Sequence, residues 1–187
     1  YYANVDNLYG CVNDAYNVKS VLERNGDGSI NFDCKIITAS SDRDKIERGN
    51  LKDNIKQLFF TKSETALLYF AGHGHFGSGG GYLLTSEAKR SDDGISLDEI
   101  LLMANQSNAT NKIIILDSCH SGIAGNPSMH DNKAFLSEGV TILTASTSDQ
   151  YANEENGSGI FTNLLVDALS GSEADLTGDI TPGSIYA

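Results

Sequence analysis

The sequence predicts an α/β fold in which a mostly parallel central sheet is flanked by helices on both faces. Continuous apolar runs alternate along the chain with segments whose apolar residues recur at helical spacing. Apolar runs without polar alternation are typical of parallel strands that helices cover on both faces. With 187 residues, of which 40% are hydrophobic, the chain is long enough for one domain with a sizeable core.

Four segments have the spacing of amphipathic helices. Each carries apolar residues three or four positions apart, which places them on one helix face. Capping residues and glycine mark several of the ends. The first segment carries Val12, Ala15, Val18 and Leu22 and ends at Gly26, and the second is capped by Asn50 and carries Leu51, Ile55, Leu58 and Phe59. The third begins at the capping box Ser96-Leu97-Asp98-Glu99, and the fourth covers residues 161–169.

Five short segments are predicted as strands. Polar or glycine-containing stretches bound them, and several contain β-branched residues. A glycine-rich stretch from Gly72 to Gly81 follows the second of them. In chain order, the strands cover residues 34–38, the run ending at Phe70, residues 82–84, residues 112–116 and residues 140–145.

Two of these strands end in tips that contain a reactive side chain. His73 follows the run ending at Phe70, and Cys119 follows residues 112–116. Because function gathers at the carboxyl ends of parallel strands, we expect both side chains at one edge of the sheet. A thiol held close to an imidazole forms a nucleophile with its general base. The backbone N–H groups of Gly74 and Cys119 would then stabilise a developing oxyanion.

Each reactive residue also has a simpler interpretation. Cys119 alone is compatible with a small buried side chain, and His73 alone with a histidine hydrogen-bonded in a loop. His73 and His75, together with Cys119 and His120, offer four possible zinc ligands, but without a usual zinc spacing. We therefore predict no metal site. The glycine-rich stretch lacks the patterns of phosphate-binding loops.

Composition limits the partners of the chain. A formal net charge of −12 would repel the phosphate backbone of nucleic acids and favour basic ligands. No segment approaches the roughly 20 apolar residues of a membrane span, and no signal peptide is visible. The three cysteines have no CxxC spacing and suit a reducing compartment. These features predict a cytoplasmic location without nucleic-acid or membrane partners, and they leave the oligomeric state open.

The two strand tips resemble the catalytic motifs of metacaspases and their prokaryotic relatives, in the caspase clan of cysteine peptidases. The motifs are Tyr69-Phe70-Ala71-Gly72-His73-Gly74 and Asp117-Ser118-Cys119-His120-Ser121-Gly122. The caspase signature places its histidine about 50 residues before the cysteine, and the spacing here is similar. The resemblance covers nearly the whole chain, from Leu8-Tyr9-Gly10-Cys11-Val12-Asn13-Asp14-Ala15 to Gly159-Ile160-Phe161-Thr162.

This resemblance implies a caspase-like sandwich with a Cys–His dyad, in which Cys119 is the nucleophile and His73 the general base and later acid. Asp14 and Asp117 match family positions whose carboxylates line the pocket for the residue before the scissile bond. Two carboxylates there would select Arg or Lys in a protein or peptide substrate. Considered alone, Asp14 also suits a helix start, and Asp117 suits a cap for the turn after its strand. Ala71 departs from the family pattern, in which serine is frequent.

The resemblance further implies that residues 1–187 are one caspase-like peptidase domain. Residues 1–125 are similar to a large subunit, about 126–139 to an exposed loop and 140–187 to a small subunit. Lys133 makes that loop a candidate for self-cleavage. The chain begins where the family's first strand has already passed and stops in a helix-forming region, so we expect a chain truncated at both ends.

Metacaspases commonly respond to calcium through acidic residues. Asp98 and Glu99 match such positions, although their capping-box role explains them adequately. We expect no required cofactor, and calcium activation is left open.

The leading hypothesis is a cysteine endopeptidase that cleaves after Arg or Lys. One alternative is a catalytically silent caspase-like interaction module, which would have no need of an intact pair of His73 and Cys119. The other is a metal-dependent hydrolase, against which the spacing of the histidines argues.

Overall fold

The computed structural model describes residues 1–77, 80–90, 93–118, 137–145, 154–155, 158–175 and 178–185. Within these residues the helices are α1 (Gly10–Leu22), α2 (Arg48–Phe60), α3 (Leu97–Asn105), α4 (Ile160–Asp167) and α5 (Pro182–Ile185). The strands are β1 (Thr65–Ala71), β2 (Gly74–Gly77), β3 (Gly80–Leu83), β4 (Ile95–Ser96), β5 (Asn111–Asp117), β6 (Val140–Thr144), β7 (Glu154–Glu155) and β8 (Ser158–Gly159). Cys119 and most of the predicted loop, including Lys133, lie outside the described residues.

Three parallel strands form the central sheet, in the order β1-β5-β6. The register of β1 with β5 runs from Thr65 opposite Asn111 to Ala71 opposite Asp117. β6 pairs with the other side of β5 in the same direction. Parallel neighbours require a crossover connection, and α3 lies in the connection between β1 and β5. The predicted α/β fold with a parallel sheet flanked by helices is confirmed.

Alternation along the strands divides the core into two halves. Successive side chains of a strand point to opposite faces of the sheet. Ile114 and Leu116 of β5 pack in one cluster with α2 and α3, whereas Ile113 and Ile115 pack in another with α1 and α4. Asp117 follows Ile115 by two positions, so this alternation directs its side chain toward α1 and α4.

The start of α3 follows the sequence prediction in part. The Ser96 hydroxyl oxygen accepts a hydrogen bond from the backbone N–H of Glu99 at 3.1 Å, as a helix cap requires. A full capping box would direct the Glu99 carboxylate back to Ser96. That carboxylate instead pairs with Lys52 and, at 3.5 Å, with Arg48, both of α2. The prediction is right for Ser96 and wrong for Glu99.

Two other local predictions are wrong. Residues 34–38 belong to none of the strands in the described part of the chain. Together with residues of β1 they line a cavity of about 840 Å³. α2 begins at Arg48, before Asn50, because the backbone N–H of Leu51 already donates to the Glu47 carbonyl at 3.0 Å. Glu47 therefore occupies the cap position.

The ends of the first and last predicted helices also differ from expectation. α1 ends at Leu22, and the left-handed glycine of the following turn is Gly28, with φ of 83°, rather than Gly26. α4 begins one residue early and continues into a π-helical segment, Ala168–Ser172. None of the helices in the described ranges combines the length and apolar character that a bilayer crossing needs.

A hairpin leaves the sheet at the end of β1. β2 and β3 pair antiparallel, and β4 joins β3 on its other side. The sequence predicts a strand near β3, but it misses β2, which lies inside the glycine-rich stretch. Because β2 begins directly after His73, the hairpin fixes the backbone on one side of the histidine.

Candidate active site

The two predicted strand tips are neighbours at the carboxyl edge of the sheet. Ala71 and Asp117 are register partners at the ends of β1 and β5. Beyond them, the backbone N–H of Gly72 donates to the Asp117 carbonyl at 3.1 Å. The structure therefore brings the segment that carries His73 beside the segment that leads to Cys119. Ser118, the last residue described before Cys119, is buried.

His73 is held by groups near the start of the chain. Its ring atom Nε2 lies 2.7 Å from the carbonyl oxygen of Asp6, and its ring packs on that of Tyr2 with centroids 4.6 Å apart. A carbonyl oxygen only accepts hydrogen bonds, so Nε2 carries the proton in this contact. In the neutral imidazole the lone pair is then on Nδ1.

Tyr2 also fixes the backbone of the histidine. The backbone N–H of His73 donates to the Tyr2 hydroxyl oxygen at 2.9 Å. Burial raises the pKa of Tyr2, and the hydrogen bond from His73 opposes this shift, so the phenol keeps its proton. Gly72 has to be glycine here, because a Cβ would collide with the Tyr2 hydroxyl and would lie 2.9 Å from Phe70 Cζ.

The N–H of Gly74, a predicted oxyanion donor, points away from the hairpin. The backbone N–H of Leu84 donates to the His73 carbonyl at 2.9 Å, so residues 73 and 84 form a hydrogen-bonded pair. Such pairs alternate with non-hydrogen-bonded pairs in an antiparallel ladder. The next pair, Gly74 opposite Leu83, is therefore a non-hydrogen-bonded pair. In such a pair the backbone N–H groups point away from the partner strand, so the Gly74 N–H points away from β3.

Asp14 is a buried carboxylate on α1. Its side chain is only 2% exposed. Oδ1 accepts a short hydrogen bond from the Ser158 hydroxyl, and Oδ2 accepts one from the backbone N–H of Gly159 at 3.1 Å. β8 thus supplies two donors to a carboxylate that would otherwise be buried without compensation.

Asp117 is the second buried carboxylate, 6% exposed at the end of β5. Its Oδ2 accepts a hydrogen bond of 2.6 Å from the hydroxyl of Thr162, which lies on α4 and is fully buried. The Tyr69 hydroxyl lies 2.6 Å from the same Thr162 oxygen. Thr162 has one hydroxyl proton, which it gives to Asp117, so Tyr69 is the donor to Thr162.

The ionisation of Tyr69 supports this direction. Burial raises the pKa of Tyr69; the hydrogen bond with Thr162 opposes the rise, and the charges of Asp117 and Asp14 add to it. The phenol therefore stays protonated and remains a donor.

Gly159 is the place where the two carboxylates meet. A Cβ on Gly159 would collide with Asp117 Oδ2 and would lie 3.4 Å from Asp14 Oδ2. Both predicted pocket residues are thus brought against one glycine, on the α1 and α4 side of the sheet. Such a close approach of side chains to the backbone is open only to glycine.

A sequence model described as the caspase domain of peptidases matches residues 1–181. The chain belongs to the caspase-domain family. Members of this family are cysteine-type peptidases, which act on proteins, and this caspase domain is accordingly a peptidase of that type. No curated protein matches the chain.

Several residues of this caspase domain that hold the site were missed from the sequence. Tyr2 and Asp6 contact His73 across 71 and 67 residues of chain, and no local pattern indicates that. Tyr69 offers a usable signal, since it lies two positions before Ala71, the register partner of Asp117, and so shares its face of the sheet. Thr162 lies in the segment Gly159-Ile160-Phe161-Thr162, on which the family resemblance partly rests, whereas Ser158 directly precedes that segment.

Asp98 and Glu99, the positions considered for calcium, lie at the start of α3. The Glu99 carboxylate is already paired with Lys52 and Arg48, and Asp98 is exposed. Across the described ranges no group of three His, Cys, Asp or Glu side chains could hold a metal ion. Cys119 and His120, two of the four zinc ligands considered, lie outside those ranges.

Proposed function

We propose that this caspase domain is an endopeptidase that cleaves peptide bonds after Arg or Lys, with Cys119 as its nucleophile. The observation that carries the proposal is the pair of buried carboxylates, Asp14 and Asp117, against Gly159. Carboxylates buried together attract a cation and disfavour an acidic side chain. A guanidinium presents a fork of N–H donors that suits two carboxylates at once.

The hydrogen bond of His73 supports a specific role for each ring nitrogen. Nε2 donates to the Asp6 carbonyl, which orients the ring and leaves Nδ1 with the lone pair. In the proposed reaction, Nδ1 accepts the proton of the Cys119 thiol. The resulting thiolate attacks the carbonyl carbon of the substrate and forms a tetrahedral oxyanion.

The later steps use the same groups. The N–H groups of Gly74 and Cys119 donate to the oxyanion, and the outward direction of the Gly74 N–H supports this assignment. The tetrahedral species collapses as His73 gives its Nδ1 proton to the leaving amine, and a thioester remains on Cys119. His73 then deprotonates a water molecule, which hydrolyses the thioester and restores the thiol. No step requires a metal or cofactor.

The overall charge also favours the proposed substrate. A net charge of −12 creates a negative field that attracts basic peptides and raises their rate of association. This contribution is expected to weaken with increasing salt, because mobile ions screen it.

Fluorogenic peptides that end in Arg, Lys or Asp test the proposal. We expect cleavage after Arg and Lys, and a loss of more than about 1,000-fold in kcat/KM for Cys119→Ala and His73→Ala, as removal of a nucleophile or its base causes elsewhere. Cys34→Ala and His75→Ala are matched controls that should retain activity. Activity should persist in EDTA.

Four outcomes would contradict parts of the proposal. Activity retained in Cys119→Ala would exclude the thiol mechanism, and activity in that variant that EDTA abolishes would favour the metal-dependent hydrolase. Cleavage only after Asp would keep the enzyme class and overturn the role of the two carboxylates. No cleavage of any peptide by the wild-type chain would favour the silent interaction module.

A further inference from the structure

Three hydroxyl groups, two of them on buried residues, surround the two carboxylates. Ser158 donates to Asp14, Thr162 donates to Asp117, and Tyr69 donates to Thr162. Thr162 has no exposed surface, and Ser158 is 9% exposed. Hydrogen bonds in such surroundings are stronger than in water, and the loss of one leaves a buried group unsatisfied.

The two hydroxyls that donate directly to the carboxylates come from a single segment of the chain. Ser158 lies on β8 and Thr162 lies in the first turn of α4, on either side of Gly159. The carboxylates themselves come from α1 and β5. One short segment therefore holds two acidic side chains that belong to different elements.

Each hydroxyl restricts the rotation of its carboxylate. A carboxylate with a fixed donor on one oxygen has one favoured orientation about its terminal bond, whereas an unpartnered carboxylate turns freely. A site that binds a planar guanidinium depends on carboxylate oxygens being held in place before the substrate arrives.

We infer that Thr162 and Ser158 are positioning residues that set the preference for a basic side chain, by fixing the carboxylates of Asp117 and Asp14. The inference rests on the proposed function, and it assigns a part in specificity to residues outside the proposed dyad. Tyr69 donates to the Thr162 hydroxyl and not to a carboxylate, so we expect it to affect the preference for a basic side chain less.

A matched pair of peptides tests this inference, one ending in Arg and one in citrulline, which has nearly the same shape without the charge. For Thr162→Val, which keeps the shape but removes the hydroxyl, we expect about a tenfold fall in kcat/KM on the Arg peptide, in line with the loss of a hydrogen bond to a charged group. The fall should be in KM, with kcat and the citrulline reaction within about twofold of wild type. Thr162→Ser, which keeps the hydroxyl, should behave as wild type.

Equal losses on both peptides for Thr162→Val would indicate a merely structural role and overturn the inference, as would no loss on either. If Thr162→Val does not fold, as judged by thermal melting, Ser158→Ala decides. A reduced Arg-to-citrulline ratio in that variant supports the inference, and an unchanged ratio overturns it.

Asp117→Asn separates this inference from the function on which it rests. If Asp117→Asn loses the Arg preference while Thr162→Val and Ser158→Ala keep it, only the positioning role fails. If Asp117→Asn keeps the Arg preference, the proposed specificity itself fails.

Discussion

The two faces of the central sheet are built from alternate residues of the same strands, yet they differ in chemistry. The face toward α2 and α3 is mostly apolar, with Phe59 and Leu116 fully buried, and its buried lysine, Lys112, lies near the start of β5, away from the carboxyl edge. The face toward α1 and α4 is apolar in its middle, but at the carboxyl edge it carries Asp117 beside Asp14 and Thr162. One face therefore contributes the larger apolar core, and the other holds the carboxylates to which we assign specificity.

A core substitution on the apolar face should change stability without changing specificity. Phe59→Ala removes a fully buried ring, and such substitutions cost about 3–5 kcal/mol of the free energy of unfolding. Urea denaturation measures this loss. The folded fraction should keep the wild-type preference for Arg over citrulline.

Phe60→Ala is the matched control, because the neighbouring ring is 45% exposed. We expect it to change the free energy of unfolding by about 1 kcal/mol or less. Similar losses for Phe59→Ala and Phe60→Ala would contradict the packing described for this face.

A substitution at Gly159, which both carboxylates approach, should change specificity as well as stability. Gly159→Ala places a methyl group against Asp117 Oδ2 and 3.4 Å from Asp14 Oδ2. Displacement of these oxygens should raise KM for the Arg peptide about tenfold, while the free energy of unfolding falls by about 1–3 kcal/mol.

Gly26→Ala serves as its control, since a Cβ there meets nothing within 4 Å. Steady-state kinetics with the Arg and citrulline peptides provide the readout. A Gly159→Ala variant with wild-type KM for the Arg peptide would show that the carboxylates do not bind the substrate side chain.

A substitution beside His73 should lower kcat and leave KM nearly unchanged. Tyr2→Phe removes the oxygen that accepts the backbone N–H of His73, so the imidazole loses part of its positioning. We expect a severalfold to about tenfold fall in kcat with little change in KM, from the loss of about one hydrogen bond. Tyr1→Phe is the control, and a rise in KM alone for Tyr2→Phe would assign Tyr2 to substrate binding.

The smallest expected effect is on alkaline stability. Tyr69 has a higher pKa in the folded chain than its ordinary value of 10.0, mainly because it is buried. A phenol that holds its proton more tightly when folded contributes stability below pH 10, and the contribution is lost as pH rises further. The free energy of unfolding should therefore fall as pH rises above about 10, and less steeply in Tyr69→Phe. An equal slope in both proteins would contradict the burial of this phenol.

The central sheet and the site edge were predictable because they depend on local pattern and on general topology. Apolar runs without alternation identify buried parallel strands, and the carboxyl ends of such strands meet at one edge. The predicted strand at residues 34–38 failed because pairing depends on what lies beside β1, which local propensity does not report. The capping role of Glu99 failed because Lys52 and Arg48 compete for its carboxylate.

The partners of the site residues were beyond sequence reasoning for a similar reason. Thr162 contacts Asp117 across 45 residues of chain, and Ser158 contacts Asp14 across 144. Contacts at such separations arise from the packing of α1 and α4 on the same sheet face. The side-chain alternation of β5 predicts only the face on which Asp117 lies.

The most direct test of the central claim is the ratio of kcat/KM for the Arg peptide to that for the citrulline peptide, measured in wild type and in the double variant Asp14→Asn/Asp117→Asn. Alkylation of Cys119 by iodoacetamide would verify that the thiol of the variant stays reactive. We expect a large ratio in wild type and a ratio of about one in the double variant, because the double variant lacks both charges proposed to bind the guanidinium. An undiminished ratio in a folded double variant with a reactive thiol would contradict this claim.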